Sequence, residues 1–183
     1  DAAILFADIL VVPHAMGLPL KFEEGEGPVL GTVRSLDDLN ALRPLVGSYE
    51  VRQVCETVRL TRSSLAHDKA LIGFCGGPWT VASYMVAGGS SDRVDAKLAA
   101  FRRDPWFVAL IDRLVVESIE YLVAQAEAGA QAVARGRLCR AAWSGRAARA
   151  DFRLCPPDAG HHLQRRSGGG DGGHPTGPVT FGA

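Results

Sequence analysis

Two stretches of this chain carry side chains that could do chemistry at the end of a strand. In the first, Asp8 stands between Phe6-Ala7 and Ile9-Leu10-Val11, where an apolar run ends. Burial penalises an ionised carboxylate unless donors or cations compensate. An aspartate in this setting therefore has either a capping duty toward the turn that follows or a binding duty. In the second, Pro78-Trp79-Thr80-Val81-Ala82-Ser83-Tyr84-Met85-Val86-Ala87-Gly88-Gly89 follows the run Leu71-Ile72-Gly73-Phe74-Cys75 and a Gly76-Gly77 step. Proline opens a helix there and the later glycines close it. On that helix the Tyr84 hydroxyl could bond a ligand, or the ring could serve as half-buried packing. Trp79, at the second helical position, reads as wall. Gly76-Gly77 could let a ligand approach the backbone, and the helix N-terminus behind it could hold an anion. No GK[ST] or GxGxxG pattern accompanies it, so the nucleotide-binding loops are excluded. His14 and His67 stand alone, and His161, His162 and His174 lack metal-ligand spacing, so no metal site is expected. No Ser/His/Asp set or paired-carboxylate site is legible.

The elements that must position these residues follow from the apolar pattern. Near-continuous apolar runs at Ala2–Phe6 and Ala70–Cys75 predict strands buried on both faces. Ile9–Met16 suits a short helix that Pro13 interrupts, and Leu20–Leu30 is expected to be a polar connection rich in Glu and Gly. Ser35-Leu36-Asp37-Asp38 resembles a capping box that opens a helix to about Leu42. Val51, Val54, Val58 and Leu65 give Tyr49–Leu65 the spacing of an amphipathic helix. Asp104-Pro105 opens another, with Phe107, Leu110, Ile111, Leu114, Val115, Ser118 and Leu122 on one face and Gly129 as its stop. Ala130–Val133 begins a third strand. Strands alternating with helices predict an α/β fold with a parallel sheet.

The composition narrows the class. With 47% apolar and 22% charged residues and a formal net charge of zero, the 183-residue chain has the balance of a soluble globular protein. No apolar run reaches the roughly 18 residues of a spanning helix, and no signal-peptide pattern opens the chain. Cys55, Cys75, Cys139 and Cys155 form no CxxC pair and read as reduced thiols, so the expected location is the cytoplasm. The apolar start at Asp1 without Met reads as a truncation. After Val133 the pattern changes. Residues 134–183 hold eight Arg and ten of the 21 Gly, with no Lys, Glu, Ile or Tyr. This segment is expected to be a disordered Gly/Arg-rich tail or an out-of-frame translation; a basic arm of this kind suits nucleic acid.

The strings DAAILFADILVVPHAMG, GEGPVL, LIGFCGGPWTVASYMVAGGSS and QAEAGAQAV resemble uroporphyrinogen decarboxylase, in matching order and separation over residues 1–133. The resemblance implies a partial (β/α)8 TIM barrel, a homodimer in the full-length family, and an active site at the C-terminal mouth of the strands. It implies removal of CO2 from the four acetate side chains of uroporphyrinogen III to give coproporphyrinogen III, with no cofactor and no metal; the neutral charge and the lack of a spanning run lead us to expect no nucleic acid and no membrane partner. Asp8 matches the aspartate of the family's F-[SA]-D-I-L motif, which bonds the pyrrole N–H groups. Tyr84 matches a substrate-binding tyrosine, and Phe74 a phenylalanine lining the pocket. The family's substrate-binding arginines would precede Asp1. Its serine would fall soon after Val133, where ARGRLCRAAWSG stands, and its late histidine beyond the chain. The expectation is therefore an inactive fragment. Two alternatives are a corrinoid or thiol methyltransferase of the same barrel superfamily, and a non-enzymatic nucleic-acid binder.

Overall fold

The computed structural model describes residues 2–23, 27–89 and 93–135. In chain order the elements are β1 (Ala2–Ile4), α1 (Val11–Ala15), β2 (Leu20–Glu23), β3 (Gly27–Leu30), α2 (Leu36–Asn40) and α3 (Tyr49–Ser64). They continue with β4 (Ala70–Cys75), α4 (Pro78–Ala87), α5 (Val94–Arg102), α6 (Pro105–Glu127) and β5 (Ala132–Arg135). The main sheet is parallel and ordered β1–β4–β5. Ile4 pairs with Ile72 across β1 and β4, and Ile72 with Ala132 across β4 and β5. This is the α/β arrangement with a parallel sheet that the alternation of strands and helices predicts.

The pleat of β4 sorts its side chains. Leu71, Gly73 and Cys75 are buried, whereas Ala70, Ile72 and Phe74 are only partly covered. The first set faces the helices, where α6 packs along the strand. The second set shares its face with Ile4 and Phe6, which are 52% and 70% exposed. On α6 the buried positions Phe107, Leu110, Ile111, Leu114, Ser118, Tyr121, Leu122 and Gln125 recur at intervals of three and four, so one stripe is covered. Phe107 meets the rings of Trp79 and Trp106 edge-on at 5.8 and 5.7 Å. Each fully buried large apolar side chain here contributes about 1.5–3 kcal/mol relative to exposure. The one buried carboxylate of this helix, Glu117, accepts from the Leu45 N–H (3.0 Å) and from Arg113, so it pins the loop before α3.

Several boundaries differ from expectation. Leu20–Leu30 contains an antiparallel hairpin in which Leu20 pairs with Leu30 and Phe22 with Pro28. Its support is non-local: Leu30 N–H donates to the Gly88 carbonyl (2.8 Å) and Val33 N–H to that of Met85 (2.9 Å). The hairpin thereby satisfies carbonyls at the end of α4 that have no partner within the helix. Helix α5 buries only Ala96 and Ala99, a face too sparse to announce itself in the sequence. β1 leaves its ladder after Leu5, short of Phe6. β5 begins later than Ala130 because that residue's N–H closes α6 onto the Gln125 carbonyl (3.0 Å). The Ser35 cap forms as predicted, its hydroxyl accepting from Asp38 N–H (3.1 Å), while the Asp38 carboxylate accepts from Arg34 N–H (2.9 Å). The expectation for the Gly/Arg-rich tail falls, from residue 136 onward, outside the described residues.

Candidate active site

The loop after β1 carries Asp8. Its Oδ1 accepts from the Leu10 N–H (2.7 Å) and its carbonyl from the Val11 N–H (3.2 Å), which turns the chain into α1. Asp8 is exposed: one carboxylate oxygen fixes the turn and the group still faces solvent. No second bond to this carboxylate occurs among the described residues.

Phe74, near the end of β4, is partly buried and stacks on Phe6 with ring centroids 4.5 Å apart. The register explains the pair. Ile4 faces Ile72, so Phe6 falls opposite Phe74 on the same face of the sheet. Two residues after Phe6 comes Asp8. The loop that carries Asp8 therefore leaves the sheet just beyond this stacked pair.

Gly76 joins the two loops. A Cβ at this position would lie 2.9 Å from Val81 Cγ2, 3.0 Å from Ile9 Cβ and 3.1 Å from the Ile9 carbonyl oxygen. The close approach that the Gly76-Gly77 step permits is thus to the Asp8 loop itself. Helix α4 begins at Pro78 immediately afterwards and stops at Gly88, whose φ of 82° suits glycine. Tyr84 is partly buried on α4 and packed against the core, with the Arg93 guanidinium carbon 5.7 Å from its ring centroid. Trp79 is wall, as its position suggested. The Asp8 loop and the end of β4 are neighbours through the Phe6–Phe74 stack and the Gly76–Ile9 approach; Tyr84 shares no hydrogen bond with Asp8 or Phe74 among the described residues. Phe6 and Arg93 escaped sequence reasoning. Phe6 could have been found from its alternation with Ile4, whereas nothing in the sequence announces Arg93.

Behind the strand, Cys75 is 2% exposed and its thiol donates to the Gly76 carbonyl (3.3 Å). Burial pushes this thiol up to about 11, and the nearby Ser118 hydroxyl offsets part of the rise. Tyr121 is raised as well, by burial first and then by the charges of Cys75, Cys55 and Asp8. The folded-state value of Cys75 lies above its ordinary 9.0. Its contribution is therefore complete below about pH 9 and is lost as the pH rises toward about 11, a loss of about 2–3 kcal/mol. Urea midpoints should fall more steeply over that window for the native chain than for Cys75→Ala; equal slopes would contradict burial as the cause.

A groove of about 570 Å3 runs beside α3, lined by Tyr49, Arg52, Cys55 and Arg59 with Ala124 of α6. None of Asp8, Phe74 and Tyr84 lines it. No cluster of three His, Cys, Asp or Glu side chains suited to a metal occurs among the described residues. No described helix is long and apolar enough to cross a membrane.

Comparisons with known proteins identify the family. The family model described as "Uroporphyrinogen decarboxylase (URO-D)" matches residues 1–155. The uroporphyrinogen decarboxylases of Chelativorans sp. (strain BNC1) and Brucella anthropi are 47% and 48% identical over 134 residues, 73% of this chain. The chain spans 39% of the length of those relatives. Among solved structures, a methyltransferase from Methanosarcina mazei superposes with a TM-score of 0.59 at 22% identity, over 73% of this chain and 39% of that one. That likeness concerns the fold alone. With the family model covering most of its length and close relatives agreeing, the chain belongs to the uroporphyrinogen decarboxylase family.

Proposed function

We propose that residues 1–133 form the N-terminal part of a (β/α)8 barrel that decarboxylates the acetate side chains of uroporphyrinogen III, in the synthesis of haem and related tetrapyrroles. The observation that carries the reading is the exposed Asp8 carboxylate on the loop that follows Phe6, whose ring stacks on Phe74, within a chain 47% identical to uroporphyrinogen decarboxylases. In this reading the Asp8 carboxylate accepts from the pyrrole N–H groups at the centre of the macrocycle. A proton added to a pyrrole α-carbon makes the ring cationic. The bond from the acetate methylene to its carboxylate then breaks, its electron pair enters the ring, and CO2 departs. A second proton converts the resulting exocyclic methylene to methyl, and loss of the α-carbon proton restores the pyrrole. Each cycle consumes one proton overall. The fixed anion stabilises the cation through preorganised electrostatics. Leu10 N–H holds Asp8 Oδ1 in place, so little reorganisation is needed.

Tyr84 is assigned to a substrate carboxylate and Phe74 to a pocket wall. The reading further implies a cytoplasmic enzyme that works as a homodimer. Tyr84→Phe keeps the ring beneath Arg93 and removes only the hydroxyl, so affinity for uroporphyrinogen III should fall about tenfold to a hundredfold, the range for a hydrogen bond to a charged group. Anaerobic titration measures it, and unchanged affinity would remove Tyr84 from the site.

The described sheet has three strands, whereas a closed barrel of this type has eight. Turnover is therefore expected to need more of the mouth than these strands supply. The 183-residue chain should bind uroporphyrinogen III but release no coproporphyrinogen in a chromatographic assay. Product formation abolished by Asp8→Asn would contradict the need for further strands, while absence of binding would contradict the assignment itself. A methyltransferase reading rests on a likeness at 22% identity, against 47–48% for the decarboxylases, and is the weaker one.

A further inference from the structure

We infer that Gln125, at the end of α6, is the positioning residue that holds the Phe6–Phe74 platform at the strand mouth. Its backbone belongs to the helix layer, yet its amide acts as a piece of strand. Oε1 accepts from the Phe74 N–H (2.9 Å) and Nε2 donates to the Phe74 carbonyl (3.0 Å). The residue is 0% exposed. In a parallel ladder one residue sends its N–H and C=O to the same neighbour. Ile72 sends its carbonyl to Leu5 of the β1 segment (2.9 Å), and Leu71 sends its own to Gln131 on the β5 side (2.8 Å). Phe74, two residues beyond Ile72, therefore addresses β1. There the Gln125 amide stands in for the chain.

Two consequences follow from that substitution. The backbone of Phe6 is released from the ladder although its ring still stacks on Phe74, so the chain can leave the sheet toward Asp8 and α1. The end of β4 also stays fully bonded, which fixes the Phe74 ring. Gly73 fits the same device. A Cβ there would lie 2.6 Å from Gln125 Oε1, so the amide can enter only beneath a glycine. Gln131 makes the contrast. It accepts from Leu71 N–H (3.1 Å) and Arg62 (2.7 Å) at the other end of β4, away from the platform.

The relevance to substrate rests on the proposed decarboxylase reading, but the positioning role does not. Gln125→Leu and the shorter amide in Gln125→Asn should each speed hydrogen exchange at the Phe74 amide about tenfold or more and weaken the ring-to-ring NOE between Phe6 and Phe74. Gln131→Ala should lower stability and leave both signals unchanged. Gly73→Ala should reproduce the Gln125 effect in the native background and add little to Gln125→Asn, since the amide it displaces is already withdrawn. If Gln125→Leu does not fold, Gln125→Asn and Gly73→Ala carry the test. A folded Gln125 variant that keeps both Phe74 protection and the NOE overturns the inference. Affinity for uroporphyrinogen III, measured in parallel, should fall with the NOE in the Gln125 variants and not in Gln131→Ala. Affinity that stays unchanged while the NOE is lost contradicts a role for the platform in binding, and failure of the unsubstituted chain to bind counts against the decarboxylase reading alone.

Discussion

Asp8→Asn is expected to lower affinity for uroporphyrinogen III by about tenfold to a hundredfold, the range for losing hydrogen bonds to a charged group. Thermal stability should change little. The reason lies in the two duties of this side chain. Its Oδ1 accepts from the Leu10 N–H at 2.7 Å, and an asparagine amide oxygen can do the same. The negative charge cannot be replaced, and the new NH2 group would meet the pyrrole N–H donors with another donor. Asp8→Ala should differ in a telling way. It removes the turn bond as well, and such caps are worth about 0.5–2 kcal/mol. Comparison of the two by calorimetry and anaerobic titration separates the cap from the ligand. Equal destabilisation by both would mean that the carboxylate serves the fold alone.

Gly76→Val is expected to have the second large effect, acting on stability and affinity together. Even a single carbon at this position meets Val81 and the backbone of Ile9 at 2.9–3.1 Å, and valine adds two more. Gly76 does not adopt positive φ, so the cost is one of packing and not of backbone strain. Overpacking of this kind costs about 1–3 kcal/mol. The atoms that must yield belong to the residue after Asp8, so the carboxylate moves with them. Urea denaturation should report the loss of stability, and affinity should fall at least about tenfold, because a misplacement of an ångström in a preorganised site is costly. A Gly76→Val chain of unchanged stability and affinity would contradict the close packing of the two loops.

The parts of the structure legible in the sequence are those whose causes are local. β4 runs over Ala70–Cys75 as expected, since a continuous apolar run ends there at two glycines. α3 starts at Tyr49, and α4 runs from Pro78 to a glycine stop. Asp8, Phe74 and Tyr84 stand out in the sequence too, although spacing alone favours a cap for the first and a packing ring for the last. What the sequence concealed depends on distant partners. The hairpin at Leu20–Leu30 is held by carbonyls of α4 from more than fifty residues away. Helix α5 hides because two alanines are all it buries. Phe6 acquires a role only when the register of β1 against β4 is known, and Gln125 only when the end of α6 is set against that same strand.

The central claim is that Asp8 takes the pyrrole N–H groups of a uroporphyrinogen. The most direct measurement is the proton spectrum of 15N-labelled uroporphyrinogen III bound to the chain under anaerobic conditions. With the native sequence the pyrrole N–H resonances should move downfield, as donors to a carboxylate do, and with Asp8→Asn they should not. Bound ligand whose N–H resonances are the same in both proteins, at equal affinity, would contradict the assignment of Asp8.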